Sequence, residues 1–298
     1  MNCALATLCA AFASMTISPY ELVASTIHLA TLPEVFLRIN QIVDDPHHSA
    51  TDIARVLSQD PGMTARLLKI VNSPFYGFPS KIDSVSRAIT IIGTQDLRDL
   101  ILATSVVKAF GGLSNDVASM ESFWHHSIGC ALIARGLATQ RHETHTERFF
   151  VAGLLHDIGH LLIYQKIPEL AREALLRATH QGEVLHVAEQ AVMGFDHAAI
   201  GGELLRVWNL PKHLEEAVAF HHAPEKALQF PVDAALIHLA NIIATAVRFG
   251  NSGNHHVAPL QSSAWDIIGL SANVIEPVVI EAETHFSETL RLLQPNVG

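Results

Sequence analysis

Residues 151–164 read VAGLLHDIGHLLIY. The stretch is apolar throughout except for His156, Asp157 and His160. It has no alternation of apolar and polar residues, so it reads as part of a buried helix, predicted over 147–166 and stopped by Pro168. Three polar side chains within five residues of such a helix need partners, because burying them unpaired is costly. Capping or core hydrogen bonds would supply partners cheaply. A metal ion would supply them and would also account for the residue types. His156 and His160 are four residues apart and share one helix face, with Asp157 beside them.

Outward from this stretch, the chain keeps reading as helix. SATDIARVLSQ opens with a Ser49/Asp52 pattern of the capping-box kind. DPGMTARLLKIVNSP has Asp60 as an N-cap and Pro61 at the first helical position, and it stops at Asn72-Ser73-Pro74. SVSRAITIIG ends at Gly93, and the next helix is expected to be capped by Thr94 and closed by Gly111-Gly112. A further helix is expected from about Glu121 to Gln140, and more follow to about residue 249. The expected organisation is a tail over 1–17, a helical lobe over 18–115, a second helical lobe over 116–250 and a helical extension over 251–298. That extension is expected either to cover the lobe or to build a homodimer.

Composition narrows the function classes. The 298 residues are 49% hydrophobic and 16% charged, with net charge −10, and mean hydropathy is +0.27. No basic stretch stands out, which argues against binding a nucleic-acid backbone. No run of about twenty uncharged apolar residues appears, so no membrane span is expected. The apolar N-terminus MNCALATLCAAFASM lacks a basic n-region, and the first charged residue is Glu21. Three cysteines, two of them at the extreme N-terminus, fit a reducing compartment and a cytoplasmic location.

Histidine is the unusual residue: there are 19, as many as lysine and arginine together. A metal site inside a helical bundle needs imidazoles and carboxylates converging from separate helices. His125-His126, His197, His221-His222, and His238 with Asn241 are the other positions that could converge on the HDIGH segment. Each also has a plainer reading. Only one of His125 and His126 can face the core. Asp196 can simply cap the helix that His197 begins. His221 and His222 close a helix where a cation suits the dipole, and His160 can donate to a carbonyl. His142, His145, His255 and His256 fall in polar loops and are given no role.

Taken in order, these residues resemble a known pattern. HDIGH resembles the signature of the HD superfamily, which includes many metal-dependent phosphohydrolases. The chain more narrowly resembles the HDOD family, the HD-related output domains of bacterial signalling. TLPEVFLRINQIV, DPGMTARLLKIVNSPFYGFPSKIDSVSRAITIIG, FWHHSIGCALIA, VAGLLHDIGHLLI, DHAAIGGELLRVWNLP and AVAFHH resemble HDOD segments in sequence, over residues 20–245. VNSPFYG and SRAITIIG are the most specific, since catalytic HD proteins generally lack that N-terminal lobe. The resemblance implies an all-α fold: a multi-helix HD-superfamily bundle with an N-terminal helical lobe packed against it.

The HD-GYP family, which hydrolyses cyclic di-GMP, is the catalytic relative to compare. Its ligands match His126, His156, Asp157, His197, His221 and His222 here. The carboxylate one turn before the first histidine is Ser122, the lysine after the HD pair is His160, and the last aspartate is Asn241. Asn241 keeps a carbonyl oxygen but no charge. No GYP segment follows the histidine pair, where HHAPEKA stands instead.

The implied cofactor is one divalent transition metal ion (iron, zinc, manganese or nickel) held by His126, His156, Asp157, His197, His221, His222 and Asn241. The expected function is a regulatory module of bacterial signal transduction, acting on a protein partner or a small ligand such as a nucleotide. The alternative is a metal-dependent phosphohydrolase acting on a nucleotide or cyclic dinucleotide. For that reading His160 is the one candidate acid.

Overall fold

The computed structural model describes residues 17–26, 32–44, 49–111, 116–253 and 256–293. Residues 1–16 of the expected tail, Gly112 and His255 lie outside them. All regular structure among the described residues is helical. The N-terminal part holds α1 (Pro19–Thr26), α2 (Glu34–Asp44), α3 (Ala50–Leu57), α4 (Pro61–Val71), α5 (Val85–Ile92) and α6 (Thr94–Phe110). There follow α7 (Met120–Gln140), α8 (Glu147–Leu155), α9 (Ile158–Lys166), α10 (Pro168–Gln181) and α11 (Leu185–Met193). The remainder is α12 (His197–Val207), α13 (Lys212–Ala219), α14 (Pro231–Ala246), α15 (Ser262–Ile268) and α16 (Ile275–Leu293).

The local signals mostly act where the sequence puts them. Ser49 and Asp52 form a reciprocal capping box. The Asp60 carboxylate accepts from the Met63 N–H, with Pro61 at the first helical position. Two boundaries differ from expectation. Thr94 lies inside α6, and the junction with α5 is Gly93 alone, at φ 87° and ψ 167°. That backbone conformation is open to glycine and not to threonine, so one residue ends one helix and begins the next. The helix expected over 147–166 is two helices, interrupted at His156 and Asp157.

α7 is the axis of the second half. It packs against α8, α14 and α16, and most of its residues are buried. A helix surrounded on all sides is apolar all round rather than striped, which is why its sequence shows little periodicity. Small residues let its neighbours approach: Gly136 faces Val278 of α16, and Gly129 faces Phe249. α16 also touches α4, so the C-terminal extension covers the junction between the two halves. At the other end, α1 packs on α12 and α9.

VNSPFYG acts at that junction. The Asn72 side chain accepts from the Ile82 N–H at 2.7 Å and donates to the Ile82 and Leu68 carbonyls, also at 2.7 Å, fixing the loop between α4 and α5. The loop thereby presents Phe75 and Tyr76 to α7. The Arg135 guanidinium lies 4.0 Å over the Phe75 ring and 5.4 Å from Tyr76. Its Nε donates to the buried Glu147 carboxylate at 2.9 Å. Burial pushes Glu147 above its ordinary range despite Arg135 and Tyr76. Arg135 therefore stacks on one half of the molecule and neutralises a buried acid of the other.

Arg135→Ala is expected to destabilise the chain by about 3–5 kcal/mol, because it strands the buried Glu147 charge. Adding Glu147→Gln should recover much of that loss. Urea unfolding of the wild type, both single variants and the double variant checks this as a double-mutant cycle.

Candidate metal centre

The break between α8 and α9 turns Asp157 into the middle of the bundle. Gly159 then lets α9 run against α12 backbone to backbone: a Cβ there would stand 2.0 Å from the His197 carbonyl oxygen and 2.8 Å from the Gly201 nitrogen. Gly201 and Gly202 in turn admit Val218 and Ala219 of α13. α12 begins at His197, capped by the Asp196 carboxylate on the Ala199 N–H. Caps and glycines thus bring three helix ends to one point.

Asp157 is the hub. Its Oδ2 lies 3.2 Å from His156 Nε2 and 3.7 Å from His126 Nε2. Its Oδ1 lies 3.1 Å from His197 Nε2, 3.8 Å from His221 Nε2 and 3.9 Å from His160 Nε2. His222 Nε2 is 2.9 Å from His197 Nε2. Potential donor atoms cluster in three overlapping groups: His126, His156 and Asp157; Asp157, His160 and His197; and His197, His221 and His222. His156 and His160 both approach Asp157 although they do not share one continuous helix.

Asn241 stands beside this set, its Oδ1 3.1 Å from His126 Nε2. His238 is buried but does not converge on Asp157. Its Nδ1 donates to the His221 carbonyl at 2.8 Å and its Nε2 accepts from the Gln261 N–H at 3.1 Å. His125 turns away to meet Phe286. His221, expected as a ligand with a helix-end cation as the plainer reading, is fully buried. His160 finds no carbonyl; its Nδ1 faces Glu189 at 3.2 Å, and its ring stacks on His197 at 3.8 Å.

Glu189 is the member that sequence reasoning missed. Its carboxylate accepts from His197 Nδ1 at 2.6 Å and from the His197 N–H at 3.0 Å. A signal for it existed: Leu185, Ala188 and Glu189 share the buried face of α11, so Glu189 is an acid on an apolar stripe.

The donor set fits a metal ion. His156 Nδ1 donates to the Gly153 carbonyl and His221 Nδ1 to the Val218 carbonyl, each at 2.7 Å. Both Nε2 atoms are left buried, facing Asp157 and without hydrogen-bond partners. Fixing one ring nitrogen so that the other points at the ion is how ligand histidines are oriented, and the Glu189–His197 pair is the carboxylate form of the same device. Burial raises the Asp157 carboxyl, but His156 and His197 overcome this and hold it well below its usual range. Burial also lowers the two imidazoles, and their acidic partners reverse that effect: Asp157 for His156, and Glu189 with Asp157 for His197. His126, His221 and His222, pushed down chiefly by burial, are neutral. The centre therefore holds two acids, imidazolium character at His156 and His197, and three neutral imidazoles.

Two variants test this construction. Glu189→Gln is expected to weaken metal binding by about 10–100-fold while leaving the far-UV circular dichroism unchanged, as read by chelator competition. Gly159→Ala should cost about 1–3 kcal/mol of stability through overpacking and lower metal uptake in parallel.

The comparisons agree with the architecture. The HDOD domain model matches residues 29–224. An uncharacterized protein of Treponema pallidum (strain Nichols) is 26% identical over 200 residues, which is 65% of this chain and 38% of that protein. The match thus spans well under half of the relative's length. The crystal structure of an HDOD domain protein with unknown function from Geobacter sulfurreducens superposes with a TM-score of 0.71 at 25% identity, covering 92% of this chain and 97% of that one. A candidate phosphohydrolase from Shewanella amazonensis SB2B shares the fold with a TM-score of 0.68 at 23% identity, over 91% and 96% of the two chains. With the helical architecture, the segment order and the family match in agreement, this chain belongs to the HDOD family.

Proposed function

We propose that this chain is a regulatory module of bacterial signal transduction, working by binding a protein or small ligand, whose HD-derived centre holds a divalent transition metal ion without turning over a substrate. Burial carries this reading. His126, His156, Asp157, His160, His197 and His221 are each no more than 3% exposed, and His222 alone is half-buried. A phosphodiester must reach the metal for its oxygens to be clamped and a water activated; side chains cover that approach here.

The donor set adds a second argument. Ser122, His160 and Asn241 stand where the HD-GYP pattern has acidic or lysine side chains. Asp157 is the one carboxylate within the donor groups, and Glu189 is spent on orienting His197 and facing His160. One ion suits this set better than two. When bound, the ion would compensate the buried acids, use the lone pair that His221 aims inward and take the place of the proton on His156 Nε2. His197, held by Glu189, and His126, beside Asn241, complete the wall. The partner surface of the regulator is assigned to residues 20–112.

The phosphohydrolase reading keeps one specific support: the two oxygens of Asp157 face different histidine groups. The name of the Shewanella relative points the same way.

Elemental analysis of the purified chain is expected to find a transition metal at about one ion per chain. Hydrolysis of bis(p-nitrophenyl) phosphate should not exceed that of a His156→Ala/Asp157→Ala variant. Metal-dependent turnover abolished by that variant would replace the regulatory reading with the enzymatic one. Protein that neither contains metal nor takes it up on titration would remove both metal readings.

A further inference from the structure

The histidine centre has one edge that reaches solvent. His126, His156, Asp157, His160, His197 and His221 are all buried, and His222 alone is half-buried. His222 Nε2 lies 2.9 Å from His197 Nε2, and His197 Nε2 lies 3.1 Å from the Asp157 carboxylate. A line of donor atoms therefore runs from the half-buried ring to the hub. An ion that exchanges its ligands one at a time can follow it, and a buried metal site needs such an entry path.

His186 stands at the head of this line. Its ring stacks on that of His222, with centroids 3.9 Å apart and planes 17° apart. His197 and His221 also touch the His222 ring, at 4.9 and 3.9 Å, but both are buried inside the centre. His186 is half-buried, so it is the ring contact of His222 that faces outward. It lies in the first turn of α11, three residues before Glu189 and on the same side of the helix. Glu189 accepts from His197 Nδ1 at 2.6 Å, which fixes α11 to the centre beside the ring that covers it. The His186 ring itself is held lightly. Its Nδ1 is shielded from water and has no hydrogen-bond partner, a costly state that turning outward would relieve.

We propose that His186 is a gate on the metal centre, its ring covering the one half-buried donor and swinging aside when a divalent transition ion enters or leaves. The proposal rests on the metal reading given above. Ring stacking is a weak interaction, and side chains at an exposed edge change rotamer quickly, which suits a cover that must open. His186 is not a ligand in this arrangement. It belongs to none of the three donor groups, and two stacked parallel rings do not aim their in-plane lone pairs at one ion. The ring closes over the empty and the filled centre alike. It therefore sets how fast the ion moves and not how tightly it is held.

Zinc ion is the probe. Its uptake by the metal-free full chain, and its release to excess EDTA, are followed by stopped flow with a zinc-sensitive dye. His186→Ala and His186→Asn each remove the stacked ring. Both are expected to speed uptake and release by the same factor, about 3–10-fold, with Kd unchanged to within about twofold. His186→Phe keeps a ring over His222 and should keep the wild-type rates. Unmoved rates in the Ala and Asn variants overturn the gate. Slower uptake in all three variants, or weaker binding, overturns it as well and makes His186 a ligand instead. Release from the wild type within the mixing time leaves nothing to gate, and that outcome needs no variant to fold. A chain that takes up no zinc fails the metal reading and the gate together, whereas zinc binding with unmoved rates fails the gate alone.

Discussion

A carboxylate buried at the meeting point of several helices cannot stand alone. Asp157 lies almost out of reach of water, and the cost of removing its charge from solvent has to be returned by its neighbours. Imidazoles return it here. His156 and His197 carry positive character toward Asp157, while His126, His221 and His222 stay neutral with donor atoms nearby. The elements that supply these rings come from the whole second half of the chain, so its helices are arranged around the needs of one acid. Glu189 repeats the arrangement one layer out, compensated by His160 and His197.

The N-terminal half is tied to this bundle by a different economy. Arg135 gives its planar face to Phe75 and Tyr76 and its edge to Glu147. The lobe contact is thus stacking on a guanidinium whose buried ion pair lies within the second half, with α16 laid across the junction. A junction of this kind transmits displacement, since moving the Phe75 loop means moving the partner of a buried charge.

Much of this was legible in the sequence, and the reasons differ by residue. Asp60, Pro61, Ser49 and Asp52 act within one helical turn, so their roles follow from spacing alone. The helical class followed from the absence of alternation, and the segment order carried the family. His156 and Asp157 stood out because they interrupt an apolar run. What was not legible depends on contacts between distant segments. The sequence left His221 with two readings, ligand or helix-end cation, because its burial comes from neighbours far along the chain, and His238 could not be placed because Gln261, which occupies its Nε2, is 23 residues away. Glu189 was missed because the partner that makes it part of the centre, His197, begins the next helix. The break at 156–157 escaped notice because no proline or glycine marks it; Asp157 adopts φ −99° and ψ 8° as α8 gives way to α9.

The contact of Gly159 with the backbone of His197 and Gly201 has a consequence for how this scaffold can change over time. Where two helices meet main chain against main chain, their separation is fixed by peptide dimensions rather than by the fit of side chains. The surrounding residues are then free to exchange their chemistry while the frame stays in register. A serine at 122, a histidine at 160 and an asparagine at 241 change the chemistry of the pocket, while the spacing of α9 and α12 is set by the main-chain contact at Gly159. In such a fold the shape of an active centre can outlive its reaction and be inherited as a rigid mount for another task.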